Sequence, residues 1–106
     1  MSEKILFYGH SGCPSVPLVR TMLEHAGAEF EYINIRSDET GRMRLQAINH
    51  GYESVPTLTF PDGSILTEPS NAILHAKLLA LGYAFQIPAW VVAFENLLNK
   101  MAANKK

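Results

Sequence analysis

Short apolar runs alternate along this chain with stretches of helical periodicity. Lys4 to Tyr8 is a nearly continuous apolar run ended by Gly9, which suits a strand covered on both faces. From Pro14 the period changes. Val16, Val19, Met22, Leu23 and Ala26 recur at helical spacing, and Gly27 supplies a stop. Phe30 to Ile35 is β-branched and aromatic and reads as a second strand. Ser37 and Asp38 can cap a helix from about Glu39 to Asn49, with Met43, Leu45, Ala47 and Ile48 as a loose apolar face. Thr57–Phe60 and Ser64–Thr67 flank Pro61-Asp62-Gly63, the composition of a hairpin turn. A further helix starts near Ser70 and carries Ile73, Leu74, Leu78, Leu79 and Leu81 up to Gly82. Beyond a connector, Pro88 can open a last helix to about Ala103, with Trp90, Phe94, Leu97, Leu98 and Met101 on one side.

The order strand-helix-strand-helix-hairpin-helix predicts an α/β domain. The first two strands need a helical crossover and are therefore parallel, whereas the hairpin adds antiparallel strands. The expected architecture is a mixed four-stranded sheet flanked by three helices, with an extra C-terminal helix. Residues 1–84 would form the domain and residues 85–106 a helical extension. Packing of that last helix on the domain is the simplest reading; contact with a second copy of the chain or with a membrane surface is the alternative, and Glu95 and Asn96 dilute the membrane case.

Composition narrows the function. With 106 residues, 47% hydrophobic and 18% charged, the chain has the apolar mass for one core. Nine Lys+Arg against ten Asp+Glu leave a net charge of −1, so no basic stripe is available to track nucleic acid. A single cysteine excludes an internal disulfide and a cysteine-based zinc site. No apolar run approaches the roughly 20 residues of a membrane span. The residues before Ile5 lack a signal-peptide layout, so a cytoplasmic setting is expected.

Three stretches carry chemistry. Cys13 lies between the first strand and the first helix, where helix-end N–H groups and the helix dipole favour a thiolate, the nucleophilic form. Pro14 helps set the start of the helix, Pro17 falls within its first turn, and Ser11 and Ser15 can donate hydrogen bonds to the sulfur. Arg20 adds a weak positive charge. The plain alternative is a small residue at a loop–helix junction. Second, Pro56 in Ser54-Val55-Pro56-Thr57 directly precedes a core strand. On composition alone it is an ordinary trans proline; a cis bond would offer the Val55 main chain to an extended peptide. Third, Ser70 is an N-cap and Glu68 can receive an amino group, so a zwitterion fits there, although capping alone explains the residues more simply. His10 and Cys13 share a metal-like spacing, but two ligands make no site and no metal is expected. His10 reads as a loop residue near the thiol, and His25, His50 and His75 as surface or helix-end positions.

Taken together, Ser11-Gly12-Cys13-Pro14, Ser54-Val55-Pro56-Thr57 and Asp62-Gly63-Ser64-Ile65-Leu66-Thr67-Glu68-Pro69-Ser70 resemble the glutaredoxin branch of the thioredoxin fold over about residues 4–82. The last string is most similar to actinobacterial members that use mycothiol. Leu66 to Leu74 is also similar to the N-terminal domain of glutathione S-transferases. The resemblance implies that Cys13 is the nucleophile. It implies that Val55 and a cis Pro56 hold the cysteinyl part of a low-molecular-weight thiol through the backbone. Glu68 and Ser70 would hold the amino-terminal end of that thiol, and Tyr8, Pro14 and Ser15 would line the site. Dithiol members read Cys-Pro-Tyr-Cys, whereas this chain reads Cys13-Pro14-Ser15-Val16, so Val16 stands at the resolving position. The expected activity is therefore monothiol reduction of protein mixed disulfides, with glutathione or mycothiol as co-substrate and no bound cofactor. A degenerate binding or scaffold module, or a transferase-like domain, are the competing readings.

Overall fold

The computed structural model describes residues 4–103. They form β1 (Ile5–Gly9), α1 (Val16–Ala26), β2 (Phe30–Asn34), α2 (Glu39–Ile48), β3 (Thr57–Thr59), β4 (Ile65–Thr67), α3 (Asn71–Ala80) and α4 (Ala89–Ala103). The sheet runs β2-β1-β3-β4. β1 and β2 are parallel, with Phe7 opposite Tyr32, and the other two pairings are antiparallel. This is the expected mixed four-stranded sheet.

Successive residues of a strand face opposite sides, so β1 feeds two cores. Ile5 and Phe7 join Val19, Met22 and Leu23 of α1, Leu58 of β3, Leu74 and Leu78 of α3 and Val91 of α4. Tyr8 points to the other face, with Ile33, Ile35 and Leu45. α2 covers that second face. Its Asp38 cap accepts the Gly41 N–H at 2.9 Å. Gly41 is buried, and a Cβ there would run into Ile33 Cγ2, so the helix lies on β2 only because the side chain is absent.

Three sequence expectations are corrected. α1 begins at Val16 rather than Pro14. Pro17 occupies its first turn, as its missing N–H allows, and Pro14 belongs to the preceding turn. In α4 the buried side is Val91, Phe94 and Leu98, whereas Trp90, Leu97 and Met101 are exposed. The helix carries two adjacent apolar stripes, and only one meets the domain; the expectation of self-association rests on the other. Full burial of Val91 contributes about 1.5–3 kcal/mol to holding α4 in place. Finally, His75 is no surface residue. It is half-buried, and its Nε2–H donates to the Phe85 carbonyl at 2.8 Å, which fastens the connector between α3 and α4.

The β3–β4 turn is fixed by polar contacts. Asp62 accepts from the Ser64 N–H at 2.9 Å, from its hydroxyl at 2.6 Å and from Lys77 Nζ at 2.7 Å. The Lys77 contact, then the Ser64 bonds, hold the Asp62 carboxyl far below the ordinary carboxylate range. A pKa lowered by folding stabilises the fold above the unfolded value and loses that contribution as pH falls through the folded value. Asp62→Asn should therefore lower the melting temperature at pH 7, and the gap from wild type should narrow as pH drops below about 4. Thermal melts across that range check it; a gap independent of pH would contradict it.

Candidate functional site

Cys13 ends the tight turn that leaves β1. Its N–H donates to the His10 carbonyl at 3.3 Å, and its own carbonyl accepts the Val16 N–H at 3.2 Å. His10 Nδ1 accepts the Gly12 N–H at 3.1 Å, so this histidine shapes the loop. The position also departs from expectation. The Val16 N–H is taken by the Cys13 carbonyl and Pro17 has none, so fewer helix-end donors face the sulfur than the chain order suggested. The Ser15 hydroxyl makes no capping bond and is left available.

Forty-two residues further on, the α2–β3 loop brings Val55 beside the thiol, and Cys13 Sγ donates to the Val55 carbonyl at 3.7 Å. The Val55–Pro56 bond is cis. The Pro56 carbonyl accepts the Glu68 N–H at 2.7 Å, tying this loop to the end of β4. Glu68 sits in the left-handed region, φ 50°, a conformation that non-glycine residues adopt rarely and that often accompanies functional sites. The Ser70 Oγ then caps α3 by accepting the Ile73 N–H at 3.2 Å.

These segments enclose a cleft of about 280 Å³. Cys13, Ser15, Val55, Pro56, Glu68 and Ser70, six of the eight predicted residues, line it. Pro14 is exposed outside the lining. Tyr8 lies on the opposite face of the sheet. Burial raises its phenol above the ordinary value, and the charges acting on it are those of Arg44, Glu31 and Asp38 rather than any group of the cleft. Tyr8→Phe should thus leave the exchange rate of Cys13 with small disulfides within about twofold of wild type. A tenfold or larger loss, read by intact-mass kinetics, would return Tyr8 to the site.

Arg20 does not line the cleft; its guanidinium lies 4.5 Å from the Tyr32 ring centre. Tyr32 was not singled out from the sequence. Burial raises its phenol, Arg20 lowers it, and Cys13 raises it, so the tyrosine shares the electrostatic surroundings of the sulfur. Two further groups were missed. The Arg36 guanidinium packs so close to Gly12 that a Cβ there would lie 3.1 Å from it. From α4, Glu95, Leu98 and Asn99 form one wall of the cleft. Val16 is buried and would crowd a Cβ on Gly9, so the resolving position is filled by packed hydrocarbon. Among the described residues, no group of three or more His, Cys, Asp or Glu side chains is arranged to hold a metal ion.

Residues 7–80 match the family model of the glutathione S-transferase N-terminal domain. The chain belongs to this thioredoxin-fold family. The chain is also 31% identical over 80 residues to Mycoredoxin 1 of Corynebacterium glutamicum, covering 74% of this chain and 98% of that protein. It is 29% identical over 81 residues to a putative glutaredoxin of Mycobacterium tuberculosis, covering 76% and 96% of the two chains. A solved structure of the thioredoxin-like protein BC3987 superposes with a TM-score of 0.62 at 28% identity, over 71% of this chain and 99% of that one. These similarities make it a glutaredoxin-like member. The α4 helix lies outside the residues matched by the family model. No helix among the described residues is long and apolar enough to cross a membrane.

Proposed function

We propose that this glutaredoxin-like chain is a monothiol thiol-disulfide oxidoreductase that reduces mixed disulfides between proteins and a low-molecular-weight thiol. The observation that carries the reading is the juxtaposition of the chain's one cysteine with the Val55 main chain, 3.7 Å apart, at the wall of a cleft of about 280 Å³, at the small end of the range for ligand pockets. The Cys13 thiolate attacks the small-thiol sulfur of the mixed disulfide. A Cys13–S–S–R bond forms and the target protein leaves as its thiolate, which takes up a proton from solvent. A second R–SH then attacks as thiolate, yielding R–S–S–R and restoring Cys13. One cysteine suffices for both steps.

In this reading Val55 and Pro56 align the cysteinyl part of the ligand through the main chain, as an added extended segment. Glu68 receives an amino group, and Ser15 offers its hydroxyl to the sulfur. Ser70 acts mainly by capping α3, since its oxygen already accepts the Ile73 N–H. Glutathione or mycothiol serves as co-substrate without a resident cofactor, and the working compartment is the cytoplasm. The test is a coupled mixed-disulfide reduction assay on a thiolated peptide with each of the two thiols, comparing wild type with Cys13→Ser. Turnover confined to wild type supports the proposal, and turnover that survives the substitution, or is absent from wild type, refutes it.

A further inference from the structure

The cleft wall carries two carboxylates, Glu68 and Glu95, and no Lys or Arg among the described residues. Neither carboxylate belongs to an ion pair among those residues. Glu95 does more than add charge. Its Oε2 accepts the N–H of Asn71, the first residue of α3, at 2.8 Å. The Ile73 N–H of the same turn is taken by Ser70. A helix N-terminus attracts anions through its unpaired N–H groups and its dipole. Here a carboxylate of the chain itself already sits on it. That carboxylate is held in place, because Val91, one turn earlier on α4, is fully buried and its carbonyl accepts from Asn71 Nδ2 at 3.4 Å.

An incoming ligand carboxylate thus meets two like charges and a helix end whose Asn71 and Ile73 N–H groups are already taken, whereas an ammonium or a neutral hydroxyl meets acceptors. We propose that Glu95 occupies the Asn71 N–H at the start of α3 and, with Glu68, makes the cleft favour small thiols and disulfides that carry no carboxylate, neutral or amine-bearing, which disfavours glutathione among the co-substrates proposed above. This specificity rests on the reading of Cys13 as the exchanging thiol.

The test is single exchange on the full chain, followed by intact mass. The Cys13 thiolate attacks R–S–S–R, Cys13–S–S–R forms and one R–S⁻ departs. Three disulfides serve as probes: glutathione disulfide (anionic), hydroxyethyl disulfide (neutral) and cystamine (cationic). The quantity read is each rate relative to hydroxyethyl disulfide in the same protein, which cancels general changes in the reactivity of Cys13. Glu95→Gln keeps an oxygen for the Asn71 N–H and removes only the charge. It should raise the relative rate for glutathione disulfide about tenfold and lower that for cystamine, both effects shrinking in high salt. Relative rates unchanged by Glu95→Gln would overturn the inference and leave the proposed function standing. Shifted ratios in a chain that reduces no protein mixed disulfide would sink the proposed function and leave the charge selection intact. A Cys13 that exchanges with none of the three refutes both.

Discussion

Replacing Cys13 with serine should reduce mixed-disulfide reduction to the uncatalysed background, a loss of at least about a thousandfold. The size follows from the chemistry. A serine hydroxyl is almost entirely protonated at neutral pH, whereas even an ordinary thiol has a few per cent of its population as thiolate. The chain has no second cysteine to substitute for the first. The fold should tolerate the change: Cys13 is partly exposed in a turn, and its sulfur's contact with the Val55 carbonyl is long, at 3.7 Å, so losing it costs little. Wild-type and variant melting curves should therefore overlap closely while activity is lost. An active serine variant would remove the sulfur from the mechanism. A variant that is inactive and also unfolded would show that the contact to Val55 matters chiefly for structure.

The second large effect concerns the core that carries the cleft. Leu74 is fully buried, and its helix supplies Ser70 and Asn71 to the cleft wall. Leu74→Ala should cost about 2–5 kcal/mol by urea denaturation, the range for a leucine removed from a packed core. Its chain neighbour Ile73 is 54% exposed, and Ile73→Ala should change stability by less than about 0.5 kcal/mol. Similar costs at the two positions would mean that α3 is rotated relative to the sheet. The cleft as described would then be wrong as well, because the same rotation would move Asn71 off Glu95.

That contrast shows where sequence reading succeeds and where it stops. The elements and their order were legible because the changes of period at Pro14, Phe30 and Glu39, and the Pro61-Asp62-Gly63 turn, are local signals. The parallel β1–β2 pair and the β3–β4 hairpin then follow from the need for a crossover and a tight turn, whereas the β1–β3 pairing that joins them has no local signal. The meeting of Cys13, Val55 and Glu68 was legible only through family resemblance, since no local rule brings residues forty or more positions apart together. Tyr8 was misplaced because β1 is buried on both faces, so its alternation carries no contrast in hydropathy to say which way each side chain points. In α3, Ile73 and Leu74 are equally apolar, and only packing against α1 separates them. In α4, two apolar stripes compete, and burial of Val91 decides between them. In the local pattern Glu95 only dilutes the apolar face of a helix. Its role as a cap on Asn71, twenty-four residues away, is a tertiary contact with no trace in the local pattern.

A single turnover without free thiol decides whether Cys13 takes the small thiol itself. A peptide bearing one cysteine, disulfide-bonded to a small thiol, is mixed with excess wild-type chain and both products are weighed by mass spectrometry. The chain should gain the mass of the small thiol alone, on Cys13, as the peptide is freed with its cysteine reduced. A chain that instead carries the peptide, or gains nothing, would contradict that transfer.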